Sequence, residues 1–442
     1  MNTNRIKNFI KYSSLNTLGM IGISFYILAD TYFVSAGMGT DGLAALNIAI
    51  PVYSFIHGSG LMIGMGAATR YSLQKSASNR EDSNRTFTCA VYLGALFACI
   101  FVICSFFFAG NIAQVLGAQG AVNEMTEIYM KVILLFSPAF ILNNILLCFV
   151  RNDGSPHLSM TAMIAGSLSN IVLDWVFIFP CKMGIFGAAF ATGIAPVISM
   201  AILSVHFIKK RNGFSFFLCK PSGHIFGSII SCGIPSLVTE LSSGIVIIIF
   251  NIIILKLSGN VGVAAYGVIA NISLVIMAVF TGMAQGIQPI VSLSYGMKKY
   301  DETNAYLRYA VITVLVLSAI IYAVVYFMAT PITSVFNGEN DVMLQSIAEK
   351  GLKLYFIACP FAGFNIVISI FLSSTHHRVP AQIISLMRGF LIIIPMAFLL
   401  SHFLGINGIW ITFPATEALV CLFAVIFTAL MFRQINKKQA LD

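Results

Sequence analysis

Gly39-Thr-Asp-Gly42-Leu-Ala44-Ala45 returns as Gly259-Asn-Val-Gly262-Val-Ala264-Ala265, at an offset of 220. The same offset pairs Gly66 with Gly286, Ser72 with Ser292, Leu73 with Leu293, Asn84 with Asn304, and Ala90-Val91 with Ala310-Val311. Near the end of each half, Gly184-x-x-Gly187 meets Gly405-x-x-Gly408 at offset 221. Ungapped matches at one offset read as an internal duplication. In an apolar chain, that pattern marks two similar lobes able to rock about a site between them.

The rest of the chain is consistent with that reading. It is 58% hydrophobic and 9% charged, with a mean hydropathy of +0.91. A soluble domain carries roughly 25% charged residues. The composition is that of an all-α integral membrane protein, because a bilayer takes about 20 apolar residues per spanning helix. Twelve segments qualify, in two pseudo-symmetric lobes of six. They lie near 12–36, 43–71, 87–110, 127–150, 157–180 and 186–208, then near 225–257, 262–292, 305–328, 345–374, 380–403 and 408–432. The division is an N-lobe (1–208), a linker (209–224), a C-lobe (225–432) and a tail (433–442). Six helices per repeat is even, so the repeats run parallel.

The formal net charge is +9, and its placement orients the chain. With the N-terminus inside, twenty Lys and Arg fall on the cytoplasmic side. Lys131, Lys182, Lys256, Lys350 and Lys353 fall outside. The positive-inside rule then puts both termini and the linker in the cytoplasm, within a plasma (inner) membrane. The charge is topological and implies no nucleic-acid partner. The short basic N-terminus, Met1–Lys11, lacks a cleavage pattern, so the first helix is expected to stay. The 76–83 loop is polar, and the 336–341 loop is the most acidic external stretch. Nine scattered cysteines show no ligand spacing, and His376-His377 reads as a loop. No Gly-x-x-x-x-Gly-Lys loop is present, so no cofactor is expected and an ion gradient must drive any transport.

Four acids lie deep in apolar segments: Asp30, Asp174, Glu240 and Glu417. An ionisable group at membrane depth is costly and usually marks a pathway or a site. Asp30 and Asp174 both fall late in outward-running segments of the N-lobe. Asn170 lies one turn before Asp174 on the same helix face. Tyr129, Asn144 and Thr192 are further polar groups of that lobe. Such a set could hold Na⁺, or could bind a proton on a carboxyl shifted by burial and repulsion. No other metal is implied. The C-lobe lacks the cluster: at offset 220 from Asp30 and Asn170 stand Phe250 and Phe390. It offers Glu240, Asn271, Gln285 and Gln288 for a substrate cavity. Thirty-seven Phe and nineteen Met suit an adaptable apolar one, though most must face lipid. Glu417 reads equally as a helix-packing contact. Gly58, Gly60, Gly64 and Gly66, with Gly282 and Gly286, read chiefly as close helix packing.

Ala29-Asp30-Thr-Tyr-Phe-Val-Ser followed by Gly39-x-x-Gly42-Leu-Ala-Ala45 resembles the helix 1–2 signature of the multidrug and toxic compound extrusion (MATE) family. Gly286-Ile-Gln288-Pro289 resembles its helix 8. Asn170-Ile-Val-Leu-Asp174 with Gly184-x-x-Gly187-Ala188-Ala-x-Ala-Thr192 resembles its helices 5 and 6. The resemblance spans the chain. It implies a monomeric antiporter that exports amphipathic, often cationic organic compounds for inward Na⁺ or H⁺, and not an enzyme. It also implies that Asp30, Asp174, Asn170, Thr192, Tyr129 and Asn144 form the coupling site. Two departures stand out. Leu15 occupies the position where many members carry a helix-1 proline, while the repeat copy keeps Pro235. Glu240 lies about one turn from the helix-7 acid of some members. The alternative within this architecture is a lipid-linked oligosaccharide flippase, which needs several cations facing a pyrophosphate. The candidates Arg70, Arg151 and Arg388 are placed near cytoplasmic helix ends. Pore-loop patterning and a paired nucleophile and base, which a channel or a membrane enzyme would need, are not seen.

Overall fold

An apolar chain in lipid must satisfy its backbone polar groups internally, and helices do this. The computed structural model describes residues 3–76, 80–337 and 341–439, and no strand occurs among them. Parts of the N-terminus (1–2), the 76–83 loop (77–79), the acidic 336–341 loop (338–340) and the tail (440–442) lie outside the described residues.

The first element, Thr3–Ser76, is 74 residues long. Straight, it would reach on the order of 110 Å, against a hydrocarbon core of ~30 Å. It folds back at Gly39, where φ is 65° and ψ −152°, giving α1 (3–38) and α2 (40–76). Then come α3 (Arg80–Phe107), α4 (Gly120–Leu135 and Ser137–Asn152, bent by 48°), α5 (Pro156–Ile178) and α6 (Gly184–Ile208). The second half repeats this. Gly223–Gly296 folds back at Gly259, with φ 62° and ψ −157°, into α7 (223–258) and α8 (260–296). Then follow α9 (Tyr300–Phe327), α10 (Val342–Ser374), α11 (Arg378–Leu404) and α12 (Ile406–Gln439). Among the described residues this makes twelve spans in two lobes.

The repeated glycines now have a reason. A Cβ on Gly39 or Gly259 would meet nothing within 4 Å, so space does not demand glycine there. The positive φ does, since a side chain is strained in that region. Gly184 and Gly405, which open α6 and precede α12, match in the same way at φ 59° and 58°.

Each lobe has its own apolar core, and the two exchange their first turns. Phe9 of α1 packs in the C-lobe core, against Tyr309 at 5.8 Å. Ile229 of α7, its repeat mate, packs in the N-lobe core. At this end, which holds both termini, the lobes meet backbone to backbone. A Cβ on Gly66 would overlap the Ile229 carbonyl, and one on Gly233 the Met62 carbonyl. On the other side of the pseudo-twofold, a Cβ on Gly286 would lie 2.8 Å from Ser13 Cα. Hydrogen bonds reinforce the seal. Asn16 Nδ2 donates to the Gly282 carbonyl (2.7 Å), Gln288 Nε2 to Thr69 Oγ1 (3.0 Å), and Asn152 Nδ2 to Gln288 Oε1 (2.9 Å). Arg151, 3% exposed, donates to Asn16 Oδ1 behind this seal. Gly60 and Gly64 instead seat α2 against Asn144 of α4.

The linker is not a loose tether. Phe214 is fully buried among Phe87, Phe149 and Phe207 of the N-lobe. Asp153, in the α4–α5 turn, accepts from Tyr71 (2.6 Å), Lys75 (2.6 Å), His206 (3.0 Å) and the Gly213 N–H (2.5 Å). Burial alone would raise its carboxyl, but those hydrogen bonds outweigh it and hold the group at about 2.

Candidate functional site

Asp30 sits two turns before the Gly39 fold-back, and Asp174 one turn before the end of α5. Both are buried, at 6% and 0% exposure. They are close enough to repel each other electrostatically. Asn170 and Thr192 join them. With its amide nitrogen toward Asp174, Asn170 donates to Oδ2 at 3.1 Å while its oxygen accepts from the Thr192 N–H at 3.3 Å. In the opposite orientation it donates to Thr192 Oγ1 at 3.3 Å. Tyr129, also buried, lies within electrostatic range of both acids. Oδ1 of Asp30 and Oδ1 of Asp174 have no hydrogen-bond partner, and among the described residues neither acid has a basic one. An isolated ionised carboxylate so placed costs on the order of several kcal/mol, which a proton or a cation relieves. Asn144 packs against Gly60 and Gly64, and no hydrogen bond from it to either acid occurs among the described residues.

Three residues absent from the sequence reading extend this cluster toward the cleft. The Tyr26 and Tyr53 hydroxyls are 2.6 Å apart, within electrostatic range of Asp30. His57 stacks on Tyr53 with ring centroids 5.8 Å apart, and its Nδ1 lies 3.6 Å from Glu240 Oε2 in the other lobe. A line of polar groups thus runs from the acid pair to the C-lobe. Nothing in the sequence links His57 to Glu240 across 183 positions, and Tyr26 and Tyr53 look like ordinary aromatic bulk there.

Glu240, Gln285 and Gln288 line a cavity between the lobes with Thr69, Met65 and Arg388. Gln288 is nearly buried at its sealed floor. Asn271 stands about four turns before Gln285 on α8 and is not among the residues lining it. Arg388 corrects the sequence reading. It lies not at a helix end but ten residues into α11, about 15 Å along it. Its partner is Glu417, at 2.8 Å from Nη2 to Oε1, and Asn365 Nδ2 donates to Glu417 Oε2 at 2.7 Å. Glu417 is therefore the buried anion of an ion pair. Leu15, as expected, leaves α1 without an interior proline.

A single family model, MatE, matches residues 17–176 and again 235–399, most of the chain and once per repeat. The chain belongs to this family. Among curated relatives, the multidrug export protein MepA of Staphylococcus saprophyticus is 24% identical over 427 residues, covering 96% of this chain and 94% of that one. MepA of Staphylococcus aureus is 25% identical over the same coverage. Among solved structures, an outward-facing multidrug resistance MATE transporter superposes with TM-score 0.92 at 22% identity, covering 98% of this chain and 97% of that one. A transporter of the wider MOP superfamily from Pyrococcus furiosus, described by a reverse polarity of its binding pocket, gives 0.91 at 21% with the same coverage. These MatE relatives share the twelve-helix, two-lobe fold, and the curated ones are export proteins by name.

Proposed function

We propose that this chain is a multidrug efflux antiporter. It exports amphipathic, often cationic organic compounds in exchange for inward H⁺ or Na⁺, without a chemical step. The observation that carries this reading is the pair of buried carboxylates, Asp30 and Asp174, each with an orphaned oxygen and, among the described residues, no basic partner. Asn170, Thr192 and Tyr129 complete the coupling site, and Asn144 supports the α2–α4 contact beside it. Glu240, Gln285 and Gln288 contribute to the substrate cavity; Asn271 lies at its approach from the far end.

The twenty-to-five distribution of basic residues supports a plasma-membrane protein with both termini cytoplasmic. The sealed end is then the cytoplasmic one, and this conformation is outward-facing. From here the acid pair takes its cation. A ligand shifts a conformational equilibrium only by its differential affinity for the two states. Cation and drug must therefore prefer different states. Neutralising Asp30 changes its demand on Tyr26 and Tyr53, and through His57 the contact with Glu240. The drug leaves outward. The lobes rock, the glycine seal opens, and the cation leaves to the cytoplasm. The protein works as a monomer in lipid.

The test is export of ethidium from vesicles under a pH gradient and a Na⁺ gradient, imposed separately. Export driven by one of them and lost in Asp30→Asn, with the variant still inserted, is the expected result. Near-normal gradient-driven efflux by that variant would sink the reading.

A further inference from the structure

Two arginines meet on one hydroxyl at the end that holds both termini, and the efflux reading uses neither. Arg70 Nη1 of α2 donates to Ser228 Oγ of α7 at 3.4 Å, and Arg378 Nη2, at the start of α11, donates to the same oxygen at 3.0 Å. The Ser228 lone pairs are so engaged, which leaves its O–H to donate. Arg378 Nη2 also lies 3.3 Å from His376 Nδ1, and both guanidiniums are within electrostatic range of His376 and of Cys232. Among the described residues no carboxylate lies within ion-pair distance of either arginine. Like charges this close repel unless an anion lies between them. Both arginines are partly exposed, while Ser228 is buried. Neither arginine is among the residues lining the cavity between the lobes. The seal is what brings the charges together. Gln382 Nε2 of α11 donates to the Ser231 carbonyl at 2.7 Å, and Ser373 Oγ of α10 to the Cys232 carbonyl at 2.6 Å, so Arg378 and Ser228 stay together. Arg70 belongs to α2 of the N-lobe, one turn past Gly66, whose approach to Ile229 closes the seal.

We propose that Arg70, Arg378 and Ser228 form a phosphoryl-binding site that holds this end of the protein shut. A phosphoryl group presents anionic oxygens that two guanidinium forks can grip from opposite sides, with the Ser228 O–H as a further donor. Its source is an anionic lipid headgroup of the adjoining leaflet or soluble phosphate. The anion binds best where the two arginines converge, so it favours the sealed state by its differential affinity. The site concerns the seal alone and stands apart from what the cavity carries.

The test reads opening of the seal through Cys232, which is 2% exposed and adjoins Gly233 at the lobe contact. Maleimide labelling of that cysteine in the full chain is followed by peptide mass spectrometry. In nanodiscs of phosphatidylcholine, replacing about a third of the lipid with phosphatidylglycerol should slow Cys232 labelling by about fivefold or more. Arg70→Gln and Arg378→Gln should each abolish the slowing, while Lys209→Gln, which removes an exposed cation at the same end, should keep it. Inorganic phosphate added to phosphatidylcholine nanodiscs separates the sources: slowing by phosphate assigns the soluble ion, and slowing by the anionic lipid alone assigns the headgroup. No slowing by either, or the same loss in Lys209→Gln, overturns the proposal. The thermal unfolding midpoint gives a second readout, and it should rise with the anion in the wild type and in neither arginine variant. Where a Gln variant does not insert, Arg70→Lys or Arg378→Lys keeps the charge and loses the fork. The slowing should then weaken, and undiminished slowing overturns the site. No drug or gradient enters this assay, so its failure leaves the efflux reading untouched.

Discussion

The two lobes are copies of one six-helix unit, yet they treat buried charge in opposite ways. The N-lobe buries Asp30 and Asp174 with amides and hydroxyls around them and, among the described residues, no basic partner. The C-lobe buries Glu417 and neutralises it with Arg388 and Asn365. Asn365 of α10 is the repeat mate of Asn144 at offset 221, and it has been recruited to an acid that the N-lobe lacks at that depth. A fixed internal cation leaves no demand for an external one, whereas an unpaired acid does. The duplicated frame supplies rocking symmetry, and the divergence of a few side chains confines ion uptake to one half.

Breaking the C-lobe pair should produce the largest effect. Arg388→Leu strands a buried carboxylate and should cost about 3–5 kcal/mol, while Arg388→Met/Glu417→Leu should recover most of it. Thermal unfolding in detergent measures both. Asp30→Asn should show the opposite pattern. It removes an unpaired charge, so stability should hold or rise by up to about 2 kcal/mol while export is lost. If Asp30→Asn destabilised as strongly as Arg388→Leu, the contrast between the lobes would fail.

Next in size are the seal variants. Gly66→Ala and Gly286→Ala force a Cβ onto the facing backbone, an overpacking of about 1–3 kcal/mol. Both should shift the population toward opening at the terminal end, seen as raised labelling of a cysteine placed at Thr69. An effect from one glycine only would show that the pseudo-twofold is not mechanically symmetric.

The smallest effect concerns the linker clamp, which belongs to the N-lobe alone. The Asp153 carboxyl is held near 2 against an ordinary 3.8. Its depressed value adds stability above pH 3.8, and that contribution fades as pH falls through about 2. Pepsin cleavage within 214–218, normalised to a free peptide, should rise over that window. In Asp153→Asn it should already be high at pH 4.

Much of this was legible from residues alone. Glycines at offset 220 and 221 marked the duplication, and apolar run lengths marked the twelve spans; the positive φ that makes Gly39 and Gly259 the fold-backs came from the structure. Asp30, Asp174, Asn170 and Thr192 stood out because polar groups are rare in such runs. Contacts between helices distant in sequence were not legible. His57 and Glu240 meet across the lobes, and Tyr26 and Tyr53 resembled lipid-facing bulk. Arg388 was placed at a helix end, although it stands well inside α11 on a π-turn that no periodicity foretells. Asp153 drew no notice in the sequence because its four donors come from three separate segments.

The most direct test measures drug-driven ion movement in proteoliposomes, using a pH dye and a Na⁺ dye in parallel. Three proteins are compared: wild type, Asp30→Asn/Asp174→Asn, and Arg388→Gln/Glu417→Gln. The ion signal should vanish in the N-lobe variant and persist in the C-lobe variant when a simple cation such as ethidium is carried. Ion movement that survives without Asp30 and Asp174, or disappears with the C-lobe pair alone, would contradict the assignment of coupling to the N-lobe.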